Sequence, residues 1–116
     1  MPLTHDPTPV PEPPMPDLSR ARFEAWLRTL RADRPAGVRN DGAHCPVARF
    51  LQSQPDGIEA IPWVEPTRIL WFNVSLPCPE WMNAFICLTD DRAAQSSTMD
   101  EQVMVPEAFA ILRLLP

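Results

Sequence analysis

The neighbouring side chains best suited to chemistry in this sequence are His44 and Cys45. Cys45 precedes Pro46, and because proline is favoured at the first position of a helix, the thiol is predicted to lie at a helix amino terminus. The positive end of the helix dipole lowers the pKa of a thiol there, and a nearby imidazole helps it to ionise. One hypothesis is therefore a small thiol-dependent enzyme. Adjacent side chains usually point apart, however, and no orienting group or oxyanion donor is apparent, so the pattern favours a buried, structural Cys45.

The histidine and the three cysteines also offer side chains of the type that zinc binds. The four candidates are His44, Cys45, Cys78 and Cys87. Zinc sites normally separate paired cysteines by about two to four residues, a spacing that these cysteines lack. The H-x-E and P-C-x-x-C elements of zinc deaminases are missing, and three cysteines cannot all pair in disulfides. We expect no metal site and no disulfide framework, and a zinc-dependent enzyme at His44 and Cys45 stays an alternative.

Carboxylates and glycines form no complete catalytic or nucleotide-binding motif. The pairs Asp90-Asp91 and Asp100-Glu101 flank a polar stretch, but the glycine and final glutamate of a calcium-binding loop are absent. The chain has only three glycines, and they are too far apart for a phosphate-binding loop. We therefore expect that the protein is not an enzyme and binds no cofactor.

Hydrophobic spacing predicts the helices that would position these residues. The clearest is a helix over residues 18–32, capped by Asp17 or Ser19, because its apolar residues recur at the spacing of one helical face. Pro35 and Gly37 are expected to end it. A second helix is predicted from Pro46 to about residue 54, a third over residues 80–88 and a fourth from Pro106 onwards. The segment over residues 45–51 resembles the cysteine-proline-led helices of short bacterial or phage proteins, which implies no function.

Two strands are predicted between the second and third helices. Residues 58–64 and 67–74 are rich in apolar and β-branched side chains, and the short Glu65-Pro66 connection favours an antiparallel hairpin. The residues 76–79 contain two prolines, so the sheet is expected to end before them, and the polar residues 90–100 are expected to form an exposed loop. The fold class is thus a small α+β domain with about four short helices packed on a small antiparallel hairpin or sheet.

Composition and proline distribution define the domain organisation. The chain has 116 residues, a net charge of −5 and a hydrophobic content of 45%, as expected for one small soluble domain. Seven of the sixteen prolines precede Asp17, which predicts a disordered proline-rich tail over residues 1–17 and a folded domain over residues 18–116. No apolar run approaches the ~18–20 residues that span a bilayer, and no signal peptide is evident, so we expect a cytoplasmic protein without a membrane partner.

Charge is segregated along the chain, and this supports a nucleic-acid alternative. Residues 18–49 carry a net charge of +4 and residues 50–116 a net charge of −6. Nucleic acid would bind through the basic residues 18–49, because the planar guanidinium group of arginine forms paired hydrogen bonds with phosphate. The candidate residues are Arg20, Arg31, Arg34 and Arg39.

Trp63 is the residue most suited to anchor a protein partner. Prolines lie close to it on both sides at a strand end, which predicts partial exposure, and tryptophan is enriched at the centres of interfaces. Acidic residues of the later half of the chain could meet a basic partner surface, foremost Glu65, Asp90 and Asp91. The leading hypothesis is a non-enzymatic protein-interaction module that binds, or binds and inhibits, a macromolecular partner, or that forms a homo-oligomer.

Overall fold

The structure is a computed structural model that describes residues 14–95 and 101–116, with the backbone alone for residues 92–95. Its elements are α1 (Arg20–Thr29), β1 (Pro35–Val38), α2 (Pro46–Gln52), β2 (Trp63–Val64), β3 (Arg68–Trp71), β4 (Val74–Pro77), α3 (Glu80–Gln95), β5 (Gln102–Met104) and α4 (Val105–Arg113). The strands form two small antiparallel sheets, β2-β3-β4 and β1-β5. The predicted α+β class with four helices is confirmed for the described part of the chain. The predicted disordered tail covers residues 1–17: residues 1–13 lie outside the described part, and residues 14–17 make hydrogen bonds to the domain, described below.

Helix α1 begins at a serine cap and buries one apolar face. The Ser19 hydroxyl accepts a hydrogen bond from the backbone N–H of Arg22 at 3.3 Å, and the Asp17 carboxylate accepts one from the N–H of Ser19 at 2.9 Å. Both predicted caps are therefore used, since the first amides of a helix lack partners within it. Phe23 and Leu27 are fully buried. Together the caps and this buried face fix where α1 starts and which way it faces.

The helix ends earlier than its periodicity predicts. Leu30 adopts an extended conformation, and its N–H donates to the carbonyl of Leu27 at 3.1 Å, which closes the helix at Thr29. Arg31, which the predicted helix over residues 18–32 includes, and Arg34 lie in the loop between α1 and β1. Arg20, Arg31 and Arg34 therefore do not share one helix.

The predicted hairpin is confirmed in its pairing, although its first strand is short. Trp63 pairs with Leu70, and Val64 pairs with Ile69, in the antiparallel sense. The residues before β2 form turns instead of a strand, and the N–H of Ile61 donates to the carbonyl of Ile58. Strand pairing therefore begins only at Trp63.

Strand β4 was not predicted, and it corrects the expectation that the sheet ends before residue 76. A tight turn at Phe72 and Asn73, with φ of 51° and 62°, leads from β3 into β4. Two successive residues with positive φ are typical of the hairpin turns that match strand twist. Pro77 ends β4 opposite Arg68, and β4 is an edge strand, where a missing N–H leaves no gap in the sheet.

The second sheet joins two distant parts of the chain. Strand β1 pairs with β5. Strand β1 lies beside α2 and α4, and β5 lies beside α4. Pro35 and Gly37 were expected only to stop a helix, but they form part of β1. A Cβ at Gly37 would lie 2.4 Å from the backbone nitrogen of Pro46, so only glycine permits this close approach of β1 to the start of α2.

Helix α3 extends beyond residue 88 and changes the position of two candidate residues. It continues to residue 95, so Asp90 and Asp91 lie on a helix and not in the expected loop. The Thr89 hydroxyl is buried and donates to the carbonyl of Phe85 at 2.6 Å. Residues 96–100, the rest of the expected loop, lie outside the described residues.

An aromatic cluster forms the centre of the core between α1, α2 and α3. The Phe23 ring lies at its middle, with centroid distances of 5.1 to 5.8 Å to its four aromatic neighbours, which are Trp26, Phe50, Trp81 and Phe85. Such tilted and edge-to-face pairs stabilise a core beyond the burial of their area. Among the described residues, no buried side-chain nitrogen or oxygen lacks a hydrogen-bond partner.

Arg39 ties the end of β1 to three other elements. Its guanidinium group donates to the carbonyls of Thr89 and Gln102 at 3.3 and 3.4 Å, and it forms an ion pair with Glu107. Only 9% of the Arg39 side chain is exposed. A cation buried in this way depends on its partners, because water does not replace them when they are lost.

We expect the substitution Arg39→Ala to lower the free energy of unfolding by about 3 kcal/mol, because it leaves the Glu107 carboxylate and two carbonyls without their donor. The matched control is Arg31→Ala, since Arg31 makes an exposed ion pair with Asp33, and such pairs contribute about 0–1 kcal/mol. Urea unfolding followed by far-ultraviolet circular dichroism measures both. Equal effects of the two substitutions would contradict a structural role of Arg39.

Candidate functional site

A cleft of about 220 Å³ brings together several of the residues predicted from sequence. It lies between the loop over residues 39–45, the strand β2 with its following turn, and α3. We call it the Trp63 cleft, and the side chains that matter for its chemistry are Asp41, Cys45, Trp63, Glu65, Ile86 and Asp90. Trp63, Glu65 and Asp90, which the sequence proposed for partner binding, are thus neighbours around one cleft.

Trp63 projects from the outer face of the three-stranded sheet. Cross-strand partners share a face, so Trp63 and Leu70 lie on one side, and the buried Val64 and Ile69 lie on the other. The predicted exposure of Trp63 is confirmed, since 45% of the residue is accessible. A large apolar ring is therefore presented to solvent beside acidic groups.

Gly42 determines where the indole ring of Trp63 lies. A Cβ at Gly42 would lie 2.6 Å from ring atom Cε2 of Trp63, so the ring packs directly on the glycine backbone. The carbonyl of Gly42 accepts a hydrogen bond from the N–H of Val64 at 2.9 Å, which fixes this loop to β2. The ring is thus exposed on one side and supported on the other.

The Asp41 carboxylate organises the loop beside the ring. Its Oδ1 accepts from the backbone N–H groups of Ala43 and His44 at 3.0 and 3.1 Å, and its Oδ2 lies 3.0 Å from Nδ1 of His44. The hydrogen bond from the His44 ring, followed by those from the backbone, holds the pKa of Asp41 below its usual value. Asp41 therefore stays ionised and adds a fixed negative charge at the rim.

Asp90 and Glu65 supply carboxylates from other elements. Oδ1 of Asp90 accepts from the backbone N–H of Asn40 at 3.1 Å, and partial burial raises the pKa of Asp90. Glu65 forms an exposed ion pair with Arg68 at 3.2 Å. Asp91, the next residue of α3, is exposed. Because burial disfavours the charged form of Asp90, a cation placed in the cleft would stabilise it.

Cys45 caps α2 and is not activated by the helix terminus. Its Sγ accepts from the backbone N–H of Ala48 at 3.4 Å, and burial raises its pKa from 9.0 to about 11. Desolvation therefore outweighs the hydrogen bonds at the helix start. His44 is exposed and its ring contacts Asp41, as expected for adjacent side chains that point apart. The geometry favours the structural interpretation of Cys45 over a thiolate nucleophile.

The other sulfur ligands of the zinc hypothesis do not assemble with His44. Cys78 is half-buried, with its pKa raised to about 11 by desolvation, and Cys87 is exposed on α3. Within residues 14–95 and 101–116, no three histidine, cysteine, aspartate or glutamate side chains gather closely enough to hold a metal ion.

The arginines of the nucleic-acid alternative do not form one surface. Arg20 donates to the carbonyls of Leu112 and Pro116 at 2.7 and 3.3 Å and so joins α1 to the carboxyl end of α4. Arg39 is nearly buried, as described above. Arg31 and Arg34 remain exposed in the loop after α1. Two of the four candidates therefore stabilise the fold.

Sequence reasoning missed the part that the loop over residues 39–45 plays in the site. The sequence Asn40-Asp41-Gly42 indicates only a polar turn, although Gly42 supports the Trp63 ring and Asp41 lines the cleft. A polar turn that contains glycine gives no indication of which ring will pack on it.

Comparisons with protein-family models, with curated proteins and with solved structures find no match to this chain. Among the described helices, none combines the length and apolar character that crossing a bilayer requires.

We expect Cys45 to be the slowest of the three thiols to react. At pH 8 a thiol of pKa about 11 holds roughly 100-fold less thiolate than one of pKa 9.0, and burial limits access further. Timed alkylation with iodoacetamide, followed by peptide mass spectrometry, compares Cys45 with the exposed Cys87. If Cys45 in the folded protein is alkylated as fast as Cys87, the result would contradict a structural Cys45 and support the hypothesis of a thiol-dependent enzyme.

The substitution Gly42→Ala is expected to displace the Trp63 ring outwards, because the added methyl group would lie within 3 Å of three ring atoms. The exposed side of the ring leaves room for it to shift towards solvent, so the loss of stability should stay near 1 kcal/mol. The indole N–H signals in a ¹H–¹⁵N spectrum report the change, with the Trp71 signal as the internal control. An unshifted Trp63 signal contradicts the packing described here.

Proposed function

We propose that the protein is a non-enzymatic protein-interaction module that binds a basic surface of a macromolecular partner at the Trp63 cleft. The observation that carries this proposal is the Trp63 ring, 45% exposed and held on Gly42 at the rim of a cleft with carboxylates. The proposal rests on the placement of one aromatic side chain and its charged neighbours.

The preorganisation of Trp63 favours binding. An exposed tryptophan that moves freely would lose side-chain entropy when a partner orders it. The contact with Gly42 has already restricted the ring, so this loss is reduced. Buried aromatic anchors of this kind carry most of the binding energy at many interfaces. A partner therefore gains by covering the exposed side of the ring.

The charge around the cleft indicates the chemistry of the partner. Asp41, Glu65 and Asp90 line it, and residues 50–116 carry a net charge of −6. A lysine or arginine side chain in the cleft would neutralise the partly buried Asp90 carboxylate and contact the face of the indole ring. A basic partner surface thus complements the site in charge.

The state of Cys45 supports a binding role over catalysis at the same place. The thiol lines the Trp63 cleft, but burial keeps it protonated near neutral pH. A protonated thiol is a poor nucleophile and a poor metal ligand. In this proposal Cys45 contributes only to the apolar floor of the cleft.

Affinity capture with variants tests the proposal. The tagged full-length chain is incubated with lysate of its source organism, and bound proteins are quantified by mass spectrometry. We expect a partner whose retention falls about 30-fold or more with Trp63→Ala, and by a smaller factor with the charge-removing Asp90→Asn. Leu114→Ala is the matched control, because Leu114 is an exposed apolar residue on another element. Retention should also weaken as salt rises.

Sedimentation velocity of the same variants detects self-association. An oligomer that dissociates when Trp63 is replaced, but not when Leu114 is replaced, would make a second copy the partner. A chain that stays monomeric and retains no protein in a Trp63-dependent way would overturn the proposed function.

A further inference from the structure

Residues 14–18 cross the surface of the domain without regular secondary structure, held by side chains of β3, α3 and the turn that follows α2. The indole N–H of Trp71 donates to the carbonyl of Pro14 at 2.8 Å, and that of Trp81 donates to the carbonyl of Leu18 at 2.9 Å. Between them, the Gln54 side chain donates to the carbonyl of Asp17 and accepts from its N–H, both at 2.8 Å. We call residues 14–18 the strap and the surface beneath it the strap groove.

The strap is held mainly through its main chain, and Arg22 of α1 also forms an ion pair with the Asp17 side chain at 3.4 Å. Each of these four hydrogen bonds involves a backbone group of the strap. Aromatic grooves with side-chain donors to carbonyls suit proline-rich segments, which are already extended and have no N–H at each proline. Pro16 is buried in the groove, between the two carbonyls that the indoles bind. Other proline-containing segments can offer the same backbone groups.

An empty strap groove would be unfavourable. Trp71 is almost fully buried, and a buried donor without a partner destabilises the fold by about 1–3 kcal/mol. A competitor therefore has to supply carbonyl groups at the positions of Pro14 and Leu18. Binding at this surface must be an exchange, in which one extended segment replaces another.

Beside the strap lies a cavity with a volume of about 400 Å³. Its walls include the Trp26 and Phe50 rings and Pro55, and Met15 and Asp17 of the strap form another side. The strap thus borders this aromatic cavity and leaves it open. A segment with a larger side chain near the position of Met15 could fill the cavity while it makes the same backbone contacts.

We infer that the strap groove is a binding site for an extended proline-rich segment of a partner protein, and that the chain's own residues 14–18 occupy it in the absence of the partner. The inference is independent of the Trp63 cleft, which contains none of the groove residues. The strap acts as an intramolecular competitor, whose effective concentration in a linked chain is of millimolar order.

The probe that tests this inference is a synthetic peptide with the sequence of residues 9–18, amidated at its carboxyl end. It is titrated into the full-length protein to millimolar concentration while the indole N–H signals are followed. We expect the signals of Trp71 and Trp81 to shift and that of Trp63 to stay in place. A peptide with alanine at each proline position, which keeps the backbone acceptors but not the extended preference, should bind about 10-fold more weakly.

Variants separate the strap from the groove. Pro16→Gly weakens the strap alone, so the peptide should bind that variant about 10-fold more tightly than the wild-type protein. In the wild-type background Gln54→Ala weakens the strap and the peptide alike and should leave the apparent affinity nearly unchanged. A purely structural strap predicts no gain of binding in Pro16→Gly.

Unfolding curves of each variant show whether it remains folded. If Pro16→Gly does not fold, the wild-type titration decides alone. Unmoved Trp71 and Trp81 signals at millimolar peptide would overturn the inference. Equal binding of the alanine peptide would overturn it as well, because recognition would then not favour a proline-rich partner. Neither result affects the Trp63-dependent retention of a partner in the affinity capture, so either proposal can be contradicted without the other.

Discussion

The contacts of Arg39 hold the region on which the candidate site depends. The guanidinium group joins the end of β1 to carbonyls of Thr89 and Gln102 and to the Glu107 carboxylate, which belong to α3, β5 and α4. The loop over residues 39–45 continues from this point, and Gly42 in that loop supports Trp63. Because a buried cation is stable only with all its partners, the loop is confined to one arrangement relative to α3. The position of the exposed ring thus depends on residues from the far end of the chain.

Features that depend on neighbouring residues could be predicted from the sequence. The Ser19 cap, the buried face of α1 and the start of α2 at Pro46 all follow from local spacing and from proline geometry. The sheet β1-β5 pairs segments that are more than 60 residues apart, so no local pattern indicates it. The turn before β4 was missed for a different reason, because Phe72 and Asn73 adopt positive φ without the glycine that normally marks such a turn.

The candidate site was predictable residue by residue but not as an assembly. Exposure of Trp63 follows from its proline neighbours, and the acidic residues are evident from charge. Their convergence requires α3 to extend through Asp90 and the β1-β5 sheet to place Gly42, and both are tertiary effects. The same limit explains Arg20, which the sequence offers as a contact for nucleic acid although its side chain donates to a carbonyl at the end of α4. The sequence pattern shows which residue types are present, whereas tertiary packing decides which of them are exposed at the candidate site.

Three of the four tryptophans belong to the two proposed binding surfaces. Trp71 and Trp81 direct their N–H groups at backbone carbonyls, so binding in the strap groove would depend on neutral hydrogen bonds that respond little to salt. Trp63 presents its ring among carboxylates, so binding there would depend on charge and weaken as ionic strength rises. A partner with a basic surface and a proline-rich segment would engage both surfaces, and its affinity would show a salt-sensitive and a salt-insensitive part. The two surfaces share no residue, so a substitution can remove either part of the affinity without the other. A single bipartite partner would lose part of its affinity with substitutions at each surface, whereas two unrelated partners would each respond to substitutions at one surface only.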